Sequence, residues 1–386
     1  MKKVLAAIAV VAVSSFGSPV FAAHEIADVE KASPTGTLQV YGAAKLSVDL
    51  IDTGSKAAGT DTSLSRVSSN SSRLGFKGAE ELGDGFSAVY QLELGVNVDG
   101  TTTTVATGVT NTTTGAVSTT SVNTIGLRNS YVGLKSEGLG VLIFGTHDTP
   151  YKTATGQFDP FGDSMADYNA IIGNVNGSSN FELRPKDVIA YTSPSWGGLQ
   201  ISAATSQSGS EAANTAADSR LVSASAVFKA GALAIALAAE SHKNGVATWD
   251  VAGKEVTGAR LGAGYTIGGT KIGFVFETLK DDAAASAITR DAMYLAVSQK
   301  LGKETIKLAY GIADDGESVA ETTAAFMAVG VDHAFSKRTS AYVLYAAMKN
   351  DAGATYGVGQ GGAGGAYKPG AGVDPSVLSF GVNYSF

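Results

Sequence analysis

Two groups of charged residues in the sequence could act on one another across a gap. Lys45, Arg73 and Arg128 form a basic group, and Asp159, Asp163 and Asp167 recur at intervals of four in "QFDPFGDSMADYNAIIGNVNGSSNFELRPKD". Facing each other over a narrow aqueous space, they would set up a transverse field, which is the chemistry of sorting charges rather than of making bonds. Water between them would also keep like charges apart and ionised. Each has a plainer alternative. The acidic segment could equally be a solvated outward loop, and each cation an ordinary rim charge.

Bond-making chemistry has little support. The histidines are His24, His147, His242 and His333, and none sits in a recognisable nucleophile–base arrangement, so no enzyme is expected. The chain has no cysteine, which removes disulfides, thiolate metal sites and haem attachment; no metal and no cofactor are expected. Its net charge of −7 argues against nucleic acid.

Strands must position these charges. "LQVYGAAKLSVDLI" places Leu38, Val40, Leu46, Val48 and Leu50 on one face and Gln39, Tyr41, Lys45, Ser47 and Asp49 on the other. "GFSAVYQLELGVNVD" sets Phe86, Tyr90, Leu92 and Leu94 against Ser87, Gln91, Glu93 and Asn97. Such lengths exceed the usual soluble strand and suit a tilted membrane strand. Sixteen such segments can be marked: 38–51, 72–80, 86–98, 124–135, 140–147, 187–193, 198–206, 221–229, 232–241, 258–267, 270–279, 291–300, 304–313, 324–335, 339–349 and 377–386. The Ala/Gly-rich stretches 221–241 and 258–279 carry the weakest pattern.

Connections alternate between short turns and long polar loops, as in an outer-membrane barrel. The expected fold is therefore all-β: a 16-stranded antiparallel transmembrane barrel. Closure satisfies backbone groups that lipid cannot, and sixteen strands leave a water-filled interior with a polar inward face. Tyr41, Tyr90, Tyr131, Tyr265, Tyr294, Tyr342 and Tyr384 are expected in interfacial girdles. Tracts 99–123 and 351–372 read as surface or disordered loops.

The longest connection, about 148–186, holds Phe158, Phe161, Met165, Tyr168, Ile171 and Ile172, which require burial. Folded into the barrel as an inward third loop, it would carry Asp159, Asp163 and Asp167 to the water. Alternation against Leu74 and Phe76 turns Arg73 and Lys77 inward, and alternation against Leu127 and Tyr131 does the same for Arg128. At the amino end, Lys2-Lys3, an apolar run from Val4 to Val13 and "VFA" before Ala23 read as a removable signal peptide over 1–22. Residues 23–37 form an extension, and the barrel occupies 38–386. Losing Lys2 and Lys3 takes the net charge from −7 to −9.

The chain resembles the general, non-specific porins of the Gram-negative outer membrane, of the proteobacterial type. The resemblance rests on "SSRLGFKGAEELGDGFSAVYQLE", "LRNSYVGLKSEGLGVLIFG", "RPKDVIAYTSPSWGGLQISA" and the terminal "SFGVNYSF". It implies a homotrimer of passive channels admitting ions and small hydrophilic solutes across the outer membrane, surrounded by lipid. By motif, Arg73, Arg128 and Arg184 resemble the family's constriction cluster, and Glu93 a lumen acid on the third strand. "DPFGD" stands where enterobacterial members have P-E-F-G-G, which leaves both Asp159 and Asp163 as candidates for the loop acid. The resemblance also implies that the terminal Phe386 is read by the outer-membrane assembly machinery. The alternative is a substrate-specific channel for sugars or small anions. The acidic excess suggests a mild cation preference.

Overall fold

The first and last strands are hydrogen-bonded to each other, from Ala43↔Ser385 to Asp52↔Ser376, and this pairing closes the sheet. The computed structural model describes residues 36–386 apart from 56–62, 101, 107–118, 124, 177, 180, 207–219, 244–254, 282–287, 316–320 and 362–363. The signal peptide over 1–22, His24 and most of the 23–37 extension lie outside the described residues.

Every strand pairs antiparallel with its neighbours in sequence. They are β1 (Gln39–Asp52), β2 (Ser63–Ser69 and Arg73–Gly83), β3 (Phe86–Val96), β4 (Ile125–Leu127 and Ser130–Ser136), β5 (Gly140–Thr146), β6 (Val188–Thr192), β7 (Leu199–Ser206) and β8 (Arg220–Ala230). They continue as β9 (Leu233–Lys243), β10 (Glu255–Ile267), β11 (Thr270–Asp281), β12 (Ile288–Leu301), β13 (Glu304–Ala313), β14 (Ala324–Ala334), β15 (Thr339–Asn350) and β16 (Ser376–Ser385). The result is a closed barrel of sixteen strands, one for each segment read from the sequence. Tight turns such as those at Gly268 (φ 58°) and Gly302 (φ 65°) use backbone that only glycine enters freely.

Two strands are broken, and both breaks are bulges. Between Leu46↔Ser69 and Ala43↔Arg73, β1 advances three residues while β2 advances four. Between Leu94↔Leu127 and Gln91↔Tyr131, β3 advances three and β4 four. An extra residue re-aims the chain at each point, and each bulge lies beside an arginine of the basic group. The second also corrects the alternation expected for β4. Leu127 is exposed on the outside, but Tyr131 turns inward with Arg128 and is buried.

Outward positions carry an apolar belt that includes Val48, Leu50, Leu92, Leu134, Phe144, Leu237 and Met327. The expected aromatic girdle is only half correct. Tyr90, Tyr265 and Tyr384 face out; Tyr41, Tyr131, Tyr294 and Tyr342 face in, where their hydroxyls find partners that lipid would not supply.

The inward face is polar on β1 to β4 but small and apolar from β9 to β14, with Ala234, Ala236, Gly262, Gly264, Ala292, Ala309 and Ala328. The third long loop explains this. It folds into the barrel and lies against that wall. Helix α1 (Pro150–Thr155) starts at Thr149, whose hydroxyl accepts from the Lys152 N–H at 3.2 Å, with Pro150 in the first turn. The helix packs on β8, β9 and β10. Phe158 then lies flat on the wall, where a side-chain carbon at Gly262 would come within 2.3 Å of its ring and one at Gly264 within 2.7 Å. None of the six apolar anchors read from the loop is more than 4% exposed. Weak patterning at 221–241 and 258–279 is thus the imprint of a wall shaped to receive a loop.

The eighth long loop also differs from expectation. Rather than standing as a loose surface segment, it buries Ala354, Tyr356 and Val358. The Gly359 N–H donates to the Met165 carbonyl at 3.0 Å and the Gly364 N–H to the Ser69 carbonyl at 2.9 Å. Its glycines allow the backbone to approach that closely.

Candidate functional site

Bulged β2 and β4 bring Arg73 and Arg128 to the inside of the barrel, on either side of β3. Glu93 on β3 lies between them. The Arg128 Nε donates to Glu93 Oε1 at 2.7 Å, the Arg73 Nε lies 3.8 Å from Oε2, and the Tyr41 hydroxyl donates to Oε2 at 3.1 Å. On β1, Lys45 Nζ meets Asp163 Oδ2 at 2.8 Å, and Arg73 Nη1 is 3.7 Å from the same oxygen. Asp163 stands at the far tip of the inward loop in left-handed backbone (φ 57°). Burial alone would raise its carboxyl pKa, but Lys45 and Arg73 outweigh burial and hold it below the ordinary range.

Arg184 lies at the returning root of the loop in a second group. Its Nε donates to Asn129 Oδ1 at 2.9 Å and its Nη2 meets Asp148 Oδ1 at 3.1 Å; Lys152 Nζ reaches the same carboxylate at 2.9 Å. Burial would raise the Asp148 pKa, yet the Lys152 and Arg184 charges force it far down. Asn129 follows Arg128 directly, so the two groups adjoin. Asp148, Lys152 and Asn129 were not singled out in the sequence, although the i,i+4 spacing of Asp148 and Lys152 around a Thr-Pro helix start was a usable signal.

Asp159 and Asp167 occupy other positions than Asp163. Asp159 accepts from the Tyr294 hydroxyl at 2.6 Å and from the backbone N–H groups of Phe161 and Tyr168. Asp167 accepts from the N–H groups of Asp163 and Asn169. Both are buried rather than turned to open water, and they knot the tip of the loop. Burial raises both carboxyls, and Asp159 pushes Asp167 further.

A third cluster fastens the loop from behind. Glu277 on β11 accepts from Arg260 and Arg290, from the Tyr151 hydroxyl at 3.0 Å and from the Gly173 N–H at 2.7 Å. Arg260 also reaches Glu182 at 2.6 Å. One wall carboxylate thus holds the start and middle of the loop, and one wall guanidinium holds its end. These side chains are spread over β10 to β12, and no local motif marks them. Among the described residues, no group of histidine, aspartate and glutamate side chains could hold a metal ion.

The arrangement suits sorting by charge. The loop crosses the barrel and its tip meets a basic wall of Lys45 and Arg73, with Lys77, Arg128, Arg184 and Lys152 close by. In this neighbourhood cations outnumber the carboxylates Glu93, Asp148 and Asp163.

The family model described as Gram-negative porin matches residues 5–353. An outer membrane porin protein of Bordetella pertussis is 31% identical over 132 residues, covering 34% of this chain and 29% of that protein. The major outer membrane protein P.IB of Neisseria gonorrhoeae is 30% identical over 43% of this chain and 41% of its own length. The chain therefore spans well under half the length of these two relatives. Outer membrane porin protein 32 of Delftia acidovorans is 26% identical over 82% of this chain and 85% of its own length. Among solved structures, an anion-selective porin from Comamonas acidovorans has a TM-score of 0.69 at 23% identity, covering 91% of this chain and all of that one. OmpT of Vibrio cholerae has a TM-score of 0.65 at 16% identity, covering 93% of this chain and all of its own.

Proposed function

The chain belongs to the Gram-negative porin family, and from that premise we propose that it is a general diffusion channel of the outer membrane, passing ions and small hydrophilic solutes. The observation that carries this reading is the inward loop whose Asp163 meets Lys45 and Arg73 inside a barrel of sixteen strands. In this reading the constriction is formed by Lys45, Arg73, Arg128 and Arg184 with Glu93 and Asp163, while Asp159 and Asp167 hold the loop in shape. Signal removal at 1–22, a homotrimer in lipid, and recognition of the terminal strand by the assembly machinery complete the proposal.

Selectivity in this reading follows the local charge. The acidic excess of the whole chain points to cations, but charges beyond about 8 Å are screened at physiological salt. The side chains at the passage are mostly cationic, so the proposed preference is for anions. That is the selectivity named for the solved porin from Comamonas acidovorans. A conduit is favoured over a hydrolase: the contacts that His147, His242 and His333 make to a backbone carbonyl, Glu240 and Glu304 respectively are structural ones.

Single-channel recording of the purified protein in a planar bilayer tests the proposal. Stable ohmic conductance with a chloride-favouring zero-current potential is expected. Absence of conductance refutes the channel, and saturable block by one sugar or small anion favours the substrate-specific alternative.

A further inference from the structure

The eighth long loop, residues 351–375, joins β15 to β16 and leans on the third. Asn350, at the end of β15, sets its direction. A side-chain amide offers two donors and an acceptor, and this one is buried and spends them on the backbone of the loop. Its Nδ2 donates to the Tyr356 carbonyl at 2.9 Å and to the Val373 carbonyl at 2.6 Å, and its Oδ1 accepts from the Tyr356 N–H at 3.1 Å. The Asn350 N–H donates to Asp374 Oδ1 at 2.7 Å. One residue thus ties both legs of the loop, and the arm over 351–361 leaves the wall in a fixed direction.

That arm meets the third loop at its return and at its tip. At the return, the Thr355 N–H donates to Asn176 Oδ1 at 2.8 Å and the Thr355 hydroxyl to the Asn176 carbonyl at 2.5 Å. Asn176 Nδ2 answers by donating to the Gly353 carbonyl at 3.4 Å. At the tip, the Gly359 N–H donates to the Met165 carbonyl at 3.0 Å. Gly361 then passes so close that a side-chain carbon there would lie 2.8 Å from Asp167 Oδ1 and 2.6 Å from Asn169 Oδ1. Its backbone is left-handed (φ 86°), a region that glycine enters freely. The link to the basic wall runs through Asp167. Its Oδ2 accepts from the Asp163 N–H at 2.9 Å, and Asp163 Oδ2 meets Lys45 Nζ at 2.8 Å. Gly361 therefore rests on the carboxylate that holds the backbone of the constriction acid.

We propose that the eighth loop positions the constriction: Thr355 and Gly361 fix the return and the tip of the third loop, and through Asp167 they set where Asp163 stands against Lys45 and Arg73. They are positioning residues for ion selectivity, which they govern without touching the ion. The proposal rests on the channel reading. Attraction between charges falls with their separation, so a tip displaced from the wall leaves Lys45 and Arg73 less compensated and favours anions.

The test uses the full assembled protein in a planar bilayer and reads the zero-current potential in a potassium chloride gradient near 0.1 M, where screening is modest. Asp163→Asn removes the constriction charge outright and should move the anion-to-cation permeability ratio about fivefold towards anions. Gly361→Ala and Thr355→Val should each move it the same way by about twofold. Thr355→Ser, which keeps the hydroxyl, should restore the wild-type ratio. Gly370→Ala, in the same loop with open space around it, should leave the ratio unchanged. In an Asp163→Asn background Gly361→Ala should add nothing, because both act on one group. Hydrogen exchange over 163–169 in detergent-solubilised protein makes the comparison without current and should be faster in Gly361→Ala and Thr355→Val. Should Gly361→Ala fail to assemble, Thr355→Val carries both measurements. A protein that does not conduct refutes the channel reading, and the exchange comparison then decides the positioning. Wild-type ratio and wild-type exchange in folded Gly361→Ala and Thr355→Val overturn the proposal, as does a Gly361→Ala shift of equal size with and without the Asp163 carboxylate.

Discussion

Glu93 is the carboxylate that two guanidiniums share, and its removal gives the sharpest expectation. Glu93→Gln keeps the side-chain shape and the contact with the Tyr41 hydroxyl, but leaves Arg128 and Arg73 without their common counter-charge. One negative charge disappears from the wall of the passage. At roughly 8 Å through water, a unit charge is worth about 0.5 kcal/mol to a passing ion. Anions gain that amount and cations lose it, so the permeability ratio moves by about 1 kcal/mol, or about fivefold towards anions. The assay is the zero-current potential in a potassium chloride gradient near 0.1 M, repeated near 1 M, where the screening length falls to about 3 Å and the shift should shrink below twofold. Circular dichroism must show an intact barrel. A folded Glu93→Gln channel with an unchanged ratio at low salt, or one moved towards cations, would refute the placement of Glu93 beside the conducting water.

The loop anchor gives a second expectation. Phe158→Ala removes a ring that is 2% exposed, costing about 3–5 kcal/mol of loop anchoring; open-channel noise should rise while far-ultraviolet dichroism stays the same. Gly262→Val should act on the same contact from the wall, displacing the loop and changing unit conductance, whereas Gly231→Ala, in an open turn, should not. Acid should tighten the loop tip. The Asp159 and Asp167 carboxyls are raised, so the stability they add is fully present below the ordinary carboxylate pKa and lost as pH rises through their elevated values. Asp163 is lowered and keeps its contribution until pH falls below that range. Hydrogen exchange over 159–168, corrected for intrinsic rate, should therefore be slower at mildly acid than at neutral pH, and Asp167→Asn should reduce the difference to the share that Asp159 contributes. Deleting Phe386 removes both backbone hydrogen bonds to Gly42 and the ring seated on it, so assembled barrel recovered from membranes should fall severalfold.

Much of the barrel was legible because period-two alternation is a local property. A strand between lipid and water writes its two environments into successive residues, which is why β1, β3 and β16 could be read directly. The same rule gave the inward directions of Lys45, Arg73, Arg128 and Glu93. It failed at Tyr131, where the β4 bulge inserts a residue, and faded at β9 and β10, where the inner face meets protein instead of water.

By itself the sequence determined the number of strands, their order, the apolar anchors of the long loop and the sign of each charge; whether that loop turned inward was left open. Tertiary structure decided which charges meet. Asp159, Asp163 and Asp167 are equivalent by type and spacing, yet the path of the loop brings only Asp163 to Lys45 and Arg73. The acid excess of the chain could not foretell the cations gathered around Asp163, Glu93 and Asp148, because net charge sums over the whole surface whereas an ion responds to the few groups within a screening length.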